Sequence, residues 1–195
     1  MADLVTGSDG LVRCAWGAST PDYTLYHDTE WGVVVRGDDA LYERMTLEAF
    51  QSGLSWLTIL RKREGFRSAF AGFDADVVAR YGDADVARLL ADTRIVRNRA
   101  KVDAAIANAR AVVTLRETVD GGLDSLVWSF APDGGTRPAP RVLADVPAHT
   151  PESKALAKAL KRHGFGFVGP TTAYAAMQAC GLVNDHLADC VARNG

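Results

Sequence analysis

Apolar residues recur with a helical period along much of the chain. The clearest stretch is Arg99 to Leu115, where Val102, Ala105, Ile106, Ala109, Val112 and Val113 fall on one stripe and predict an amphipathic helix. The same period predicts helices over Asp39 to Gln51, Val86 to Leu90 and Ser153 to Arg162, the last with Leu156 and Leu160 one turn apart. Thr150 followed by Pro151 is a start signal for that helix, and Gly164 is a stop. A further helix opens at Pro170 and ends before Gly181. Val33 to Val35 is a short β-branched run, too little for a sheet. The stretch Ala131 to Pro147, rich in proline and carrying Gly134-Gly135, reads either as a linker between two domains or as a surface connection within one. The pattern predicts a mainly helical, compact protein.

Composition narrows the class. The chain has 195 residues, 48% hydrophobic and 24% charged, the proportions of a globular protein long enough to bury roughly 70% of its unfolded surface. Twenty-two basic residues against 24 acidic ones give a formal net charge of -2, which excludes a globally basic DNA coat. It leaves room for an enzyme of nucleic acids with a local basic patch. No apolar run approaches the ~18 residues of a membrane span, and Met1 to Val12 lacks the pattern of a secretory signal. Three widely spaced cysteines make no disulfide framework, so the expected compartment is a reducing cytoplasm.

Candidate chemistry lies in a few side chains. Cys14 and His27 sit near the start of the chain, and His186 and Cys190 near its end. The second pair is spaced i, i+4, which on a helix would project both from one face. Two thiolates and two imidazoles are a normal tetrahedral zinc set; equally, both cysteines can be small buried hydrophobes. Glu48 interrupts the apolar series Leu41, Met45, Glu48, so it is near the rim, paired with a cation or capping a loop, or functional. Tyr23, Tyr26, Trp31 and Trp56 cluster around it in sequence, as core or as a pocket for a flat cationic ring. Arginines and lysines gather at 61–63, at 94–101 and at 158–162. The second group stands at a junction of two predicted helices, where Arg94, Arg97 and Lys101 are the expected phosphate contacts.

Ordered blocks then carry a resemblance. They are Arg13-Cys14-Ala15-Trp16, Tyr26-His27-Asp28-Thr29-Glu30-Trp31-Gly32, Leu47 through Trp56, Arg97-Asn98-Arg99, Val127-Trp128-Ser129-Phe130, Phe167-Val168-Gly169 and Met177 through His186. Over residues 11–190 the chain resembles the DNA-3-methyladenine glycosylase I family. The resemblance implies an all-α helix-hairpin-helix fold in a single unit over 11–190, with a central hairpin near 84–116 and flexible tails at 1–10 and 191–195. It also implies one structural zinc on Cys14, His27, His186 and Cys190, which would fasten the chain ends together. Glu48 corresponds to the base-recognising, catalytic acid, and Tyr23, Tyr26 and Trp56 to the pocket aromatics. The implied substrate is double-stranded DNA carrying N3-methyladenine, with free 3-methyladenine released by a monomer.

Two expectations are this chain's own. Leu54, following Gly53, is the candidate wedge into the base stack. Arg94 stands where the family's hairpin often has glycine, at about 1 kcal/mol if the backbone there is left-handed. The competing class is a non-catalytic helix-hairpin-helix DNA-binding module, which would have no need of a buried Glu48.

Overall fold

The computed structural model describes residues 2–133 and 138–193. Two short antiparallel strands open the chain, β1 (Leu4–Thr6) and β2 (Val12–Cys14), with Leu4 opposite Cys14 and Thr6 opposite Val12. Helices follow: α1 (Pro21–Thr29), α2 (Asp38–Gln51), α3 (Trp56–Ala69), α4 (Ala75–Val78), α5 (Asp83–Ala91), α6 (Arg99–Thr118), α7 (Gly122–Trp128), α8 (Pro151–Arg162) and α9 (Pro170–Ala179). The expected all-α architecture is thus corrected to a mainly helical one with a small two-stranded sheet. Val33 to Val35 is no strand: the Val35 amide donates to the Cys180 carbonyl, and its carbonyl accepts the Trp128 indole. Both stretches expected as tails carry structure, β1 at one end and a 3-10 turn over Val191–Arg193 at the other.

Local chemistry accounts for the helix starts. Thr20 caps α1 and Pro21 occupies its first position; Asn98 caps α6; Thr150 and Ser153 close a capping box on α8. Helix α2 is buried on nearly every side, from Leu41 and Tyr42 through Leu47, Glu48 and Phe50. It packs on α3, α6, α7 and α9. A ladder of Phe50, Phe66, Phe70 and Phe73 ties it to α3, with successive ring centroids 4.7, 6.2 and 5.7 Å apart. One hydrophobic core draws on residues from Tyr26 to Val183, on both sides of the proline-rich stretch. Of that stretch, Gly134 and Gly135 lie outside the described residues.

The junction of α5 and α6 corrects two expectations. Lys101 is buried, and its Nζ donates to the carbonyls of Phe50 at 2.8 Å and Ser52 at 2.6 Å. It therefore holds the end of α2 with an ammonium already engaged by two carbonyls; burial pushes its pKa down. Arg94 has no left-handed backbone, so the anticipated strain does not arise. Its guanidinium is engaged by Asp92, and its backbone packs so closely on Gly65 that a Cβ there would stand 2.6 Å from the Arg94 carbonyl oxygen. Arg97 is exposed and has no ion-pair partner among the described residues.

Replacing Lys101 with methionine keeps the length of the side chain and removes the ammonium. Hydrogen bonds to a charged donor are worth about 1.5–3 kcal/mol each, so the unfolding free energy should fall by about 2 kcal/mol or more. Denaturant titration measures this; an unchanged midpoint would show that Lys101 does not secure the end of α2.

Candidate active site

Helix α1 serves two sites at once. Tyr23 and Tyr26, one turn apart, face a cavity, while His27 points to the cluster of cysteines and histidines. The cavity, about 260 Å³, is lined by Trp16, Tyr23, Tyr26, Trp31, Glu48, Gln51, Trp56, Ala175 and Gln178. That is smaller than the ~300–1,000 Å³ of drug-sized ligand sites and matches one flat heterocycle. The ring of Tyr26 lies 5.3 Å from that of Trp56, and Trp16 meets both Tyr23 and Trp31 edge to face. Tyr23 is held by the Leu57 amide, which donates to its hydroxyl at 3.1 Å, leaving the phenolic proton to donate elsewhere.

Glu48 is the carboxyl among the residues that line this cavity. It is 6% exposed and has no hydrogen bond or ion pair among the described residues. The nearby cation, Arg44 one helical turn earlier, is turned to Glu30, which also takes the guanidinium of Arg63. Burial pushes the Glu48 carboxyl up to about 8, with the Arg44 charge only partly opposing. The group is therefore largely protonated at neutral pH in the empty cavity, and a cation placed beside it would favour the carboxylate. Trp56 Nε1 is also buried without a partner.

Behind the cavity wall, Cys14, His27, His186 and Cys190 bring one ligand atom each within 4.8 Å of one another. His27 Nε2 stands 3.2 Å from His186 Nδ1, and Cys190 Sγ stands 3.4 and 3.7 Å from these two nitrogens. Metal–nitrogen bonds of ~2.0–2.1 Å and metal–sulfur bonds of ~2.3 Å give tetrahedral edges of about 3.3–3.8 Å, close to the three separations among His27, His186 and Cys190. The outer nitrogens decide the tautomers. His186 Nε2 must donate to the Trp31 carbonyl at 2.9 Å, and His27 Nδ1 to the Asp28 carboxylate at 2.7 Å. Both inner nitrogens then carry lone pairs aimed at one point, an arrangement that a cation satisfies. His186 and Cys190 are not on a helix as their spacing suggested; an irregular turn closed by the Cys190 amide on the Leu187 carbonyl delivers them.

Comparison with known proteins agrees with this geometry. A family model described as methyladenine glycosylase matches residues 16–194. The Escherichia coli protein DNA-3-methyladenine glycosylase 1 is 44% identical over 180 residues, 92% of this chain and 96% of that protein. Its Haemophilus influenzae counterpart is 41% identical over 178 residues, 91% of this chain and 96% of that protein. The chain belongs to the methyladenine glycosylase family. A solved 3-methyladenine DNA glycosylase I superposes with a TM-score of 0.87 at 46% identity, covering 92% of this chain and 98% of that one. The Staphylococcus aureus enzyme, solved to explain its recognition of 3-methyladenine, gives 0.87 at 32% identity, covering 93% and 96%.

In this methyladenine glycosylase the structure gathers Tyr23, Tyr26, Glu48 and Trp56 at one cavity. Gly53, with a φ of 80°, and Leu54, 41% exposed, form the turn after α2, in a depression that also reaches Glu48. Trp16, Gln51 and Gln178 were missed as cavity residues. Trp16 was legible only as part of a family block, and Gln178 comes from a helix more than 100 residues away in sequence.

The raised Glu48 pKa has a measurable consequence for stability. The folded protein holds this proton up to about pH 8, whereas an ordinary glutamate releases it near 4.5. Stability contributed by protonated Glu48 is therefore full below 4.5 and lost as pH rises towards 8. Glu48→Gln should remove that loss, making the variant more stable than wild type at pH 8 by on the order of a few kcal/mol. Equal pH dependence of unfolding in the two proteins would contradict the burial argument.

Proposed function

We infer that this protein is a DNA-3-methyladenine glycosylase, hydrolysing the N-glycosidic bond of N3-methyladenine in alkylated DNA and releasing the free base. The observation that carries the reading is the unpaired, buried carboxyl of Glu48 in an aromatic cavity sized for one base. Methylation leaves the glycosidically bonded adenine cationic and hence a good leaving group. The base must leave the stack of a duplex, and a damaged base is cheaper to extrude. Trp56 stacks on the extruded ring, Tyr23 and Tyr26 contact its edges, and Glu48 accepts its hydrogen bonds and stabilises its charge. Holding the cationic ring while bulk water is excluded is what this chain contributes to bond cleavage. Leu54, exposed beside the cavity mouth, is the candidate wedge into the gap, with Gly53 shaping its turn.

DNA contact is assigned to the α5–α6 junction read as the hairpin of a helix-hairpin-helix, with exposed Arg97 as its free cation. Arg94 contributes less, being held by Asp92. The four residues Cys14, His27, His186 and Cys190 hold one zinc; four protein ligands leave no open position, so its role is structural. The substrate is double-stranded DNA, and the protein acts on it as a monomer. No helix among the described residues is long and apolar enough to cross a membrane, and the three cysteines, none of them in a disulfide, suit a reducing cytoplasm.

Incubation with methylated duplex DNA should release free 3-methyladenine, whereas a binding module would release none. With saturating chemistry controlled, kcat/KM should rise with pH towards 8 as Glu48 ionises, because the lesion keeps its charge. Glu48→Gln should flatten that rise and lower kcat/KM about 10- to 150-fold, the worth of one hydrogen bond to a charged group. Metal analysis should find one zinc per chain, and Cys190→Ser should lower the thermal midpoint by about 10 °C or more. Metal-free protein of full thermal stability would contradict the zinc assignment. Arg97→Ala should reduce the logarithmic salt slope of DNA binding by nearly one unit, and Lys101→Met should leave it unchanged.

A further inference from the structure

Gln178 stands on the cavity wall with an amide that cannot turn freely. Its Nε2 donates to Asp185 Oδ2 at 2.8 Å, and the same oxygen accepts the Tyr174 hydroxyl at 2.5 Å. Asp185 and Tyr174 are both buried, so water does not compete for this anchor. A carboxylate only accepts hydrogen bonds, so it takes the nitrogen end of the amide. The carbonyl end, Oε1, is left over; it has no hydrogen-bond partner among the described residues and is not sealed from solvent. Tyr174 and Gln178 lie one turn apart on α9, so both donors reach Asp185 from one face of a rigid element.

We propose that Gln178 is a specificity-determining residue of this cavity, its carbonyl accepting a hydrogen from the exocyclic amine of the extruded base while Asp185 acts as the positioning residue. This rests on the base-recognition reading of the same cavity and adds what Glu48 alone does not supply. An adenine-type base presents an amine at that ring position; a guanine- or hypoxanthine-type base presents a carbonyl. A carbonyl facing Gln178 Oε1 would set two acceptors against each other and leave both without a hydrogen. Glu48 balances the charge of the ring and can accept only one edge of the amine, whereas the fixed amide, placed to take the second amine hydrogen, adds to the discrimination of an amine from a carbonyl.

Calorimetric titration of the metal-loaded protein with free 3-methyladenine and with 3-methylpurine, which lacks the amine, tests this. Gln178→Met, similar in length and helix preference, should weaken 3-methyladenine about 3- to 10-fold and leave 3-methylpurine unchanged. Asp185→Asn should narrow the gap between the two ligands likewise, because the new amide nitrogen draws Gln178 Oε1 away from the cavity. Equal weakening of both ligands in Gln178→Met would show a merely structural role and overturn the proposal. An undiminished gap in both variants would overturn it too. Failure of the wild type to bind either base would overturn the base-recognition reading itself, and this inference with it.

Discussion

An unpaired carboxyl buried in an aromatic cavity is the constraint around which this protein is arranged. Taking a carboxylate out of water without a partner is costly, and the cost appears here as a Glu48 pKa pushed up to about 8. The fold keeps the obvious partner away, because Arg44 is turned to Glu30 beside Arg63. It also fixes the helix that carries Glu48, through the phenylalanine ladder on one side and the Lys101 ammonium at the C-terminal end. Structure and function pull in opposite directions at this residue. Burial makes a charged Glu48 destabilising, whereas the proposed recognition of a cationic base calls for that charge.

The second constraint is the joining of distant chain segments. Cys14 leaves β2, His27 leaves α1, and His186 and Cys190 arrive more than 150 residues later. The cluster is continuous with the cavity wall: His27 packs on Trp16, His186 packs on Trp31, and the Trp31 carbonyl orients His186. Gly17 and Gly181 mark how tight this region is. A Cβ on Gly17 would stand 2.4 Å from the His27 ring, and Gly181, at a φ of 74°, lets the backbone of Gly32 to Val34 pass within 2.8 Å of its own missing Cβ. The cluster that brings the two ends of the chain together therefore also touches two cavity tryptophans.

Much of the helical frame was legible because each helix obeys one dominant rule. Helix α6 shows a clean apolar stripe, and α8 adds a threonine cap with proline behind it. Helix α1 was not legible: Tyr23 and Tyr26 turn to the cavity, His27 turns to the cluster and Leu25 is 64% exposed, so no single stripe exists. The β1–β2 hairpin is too short for a period to show. Glu48 stood out as an acid in an apolar series, yet its lack of a partner depends on where Arg44 turns. Lys101 misled for a related reason. A lysine among arginines reads as surface charge, and only the fold shows its ammonium beneath two carbonyls at the end of α2.

The central claim is that Glu48 waits in protonated form and ionises when the cationic base arrives. A carbon-13 NMR titration of the Glu48 carboxyl reports this directly, with the protein free and bound to duplex DNA carrying an uncleavable cationic analogue of the lesion. A midpoint near 8 in the free protein and a clear downward shift in the complex are expected. A carboxyl that titrates near the ordinary glutamate value in both states would contradict it.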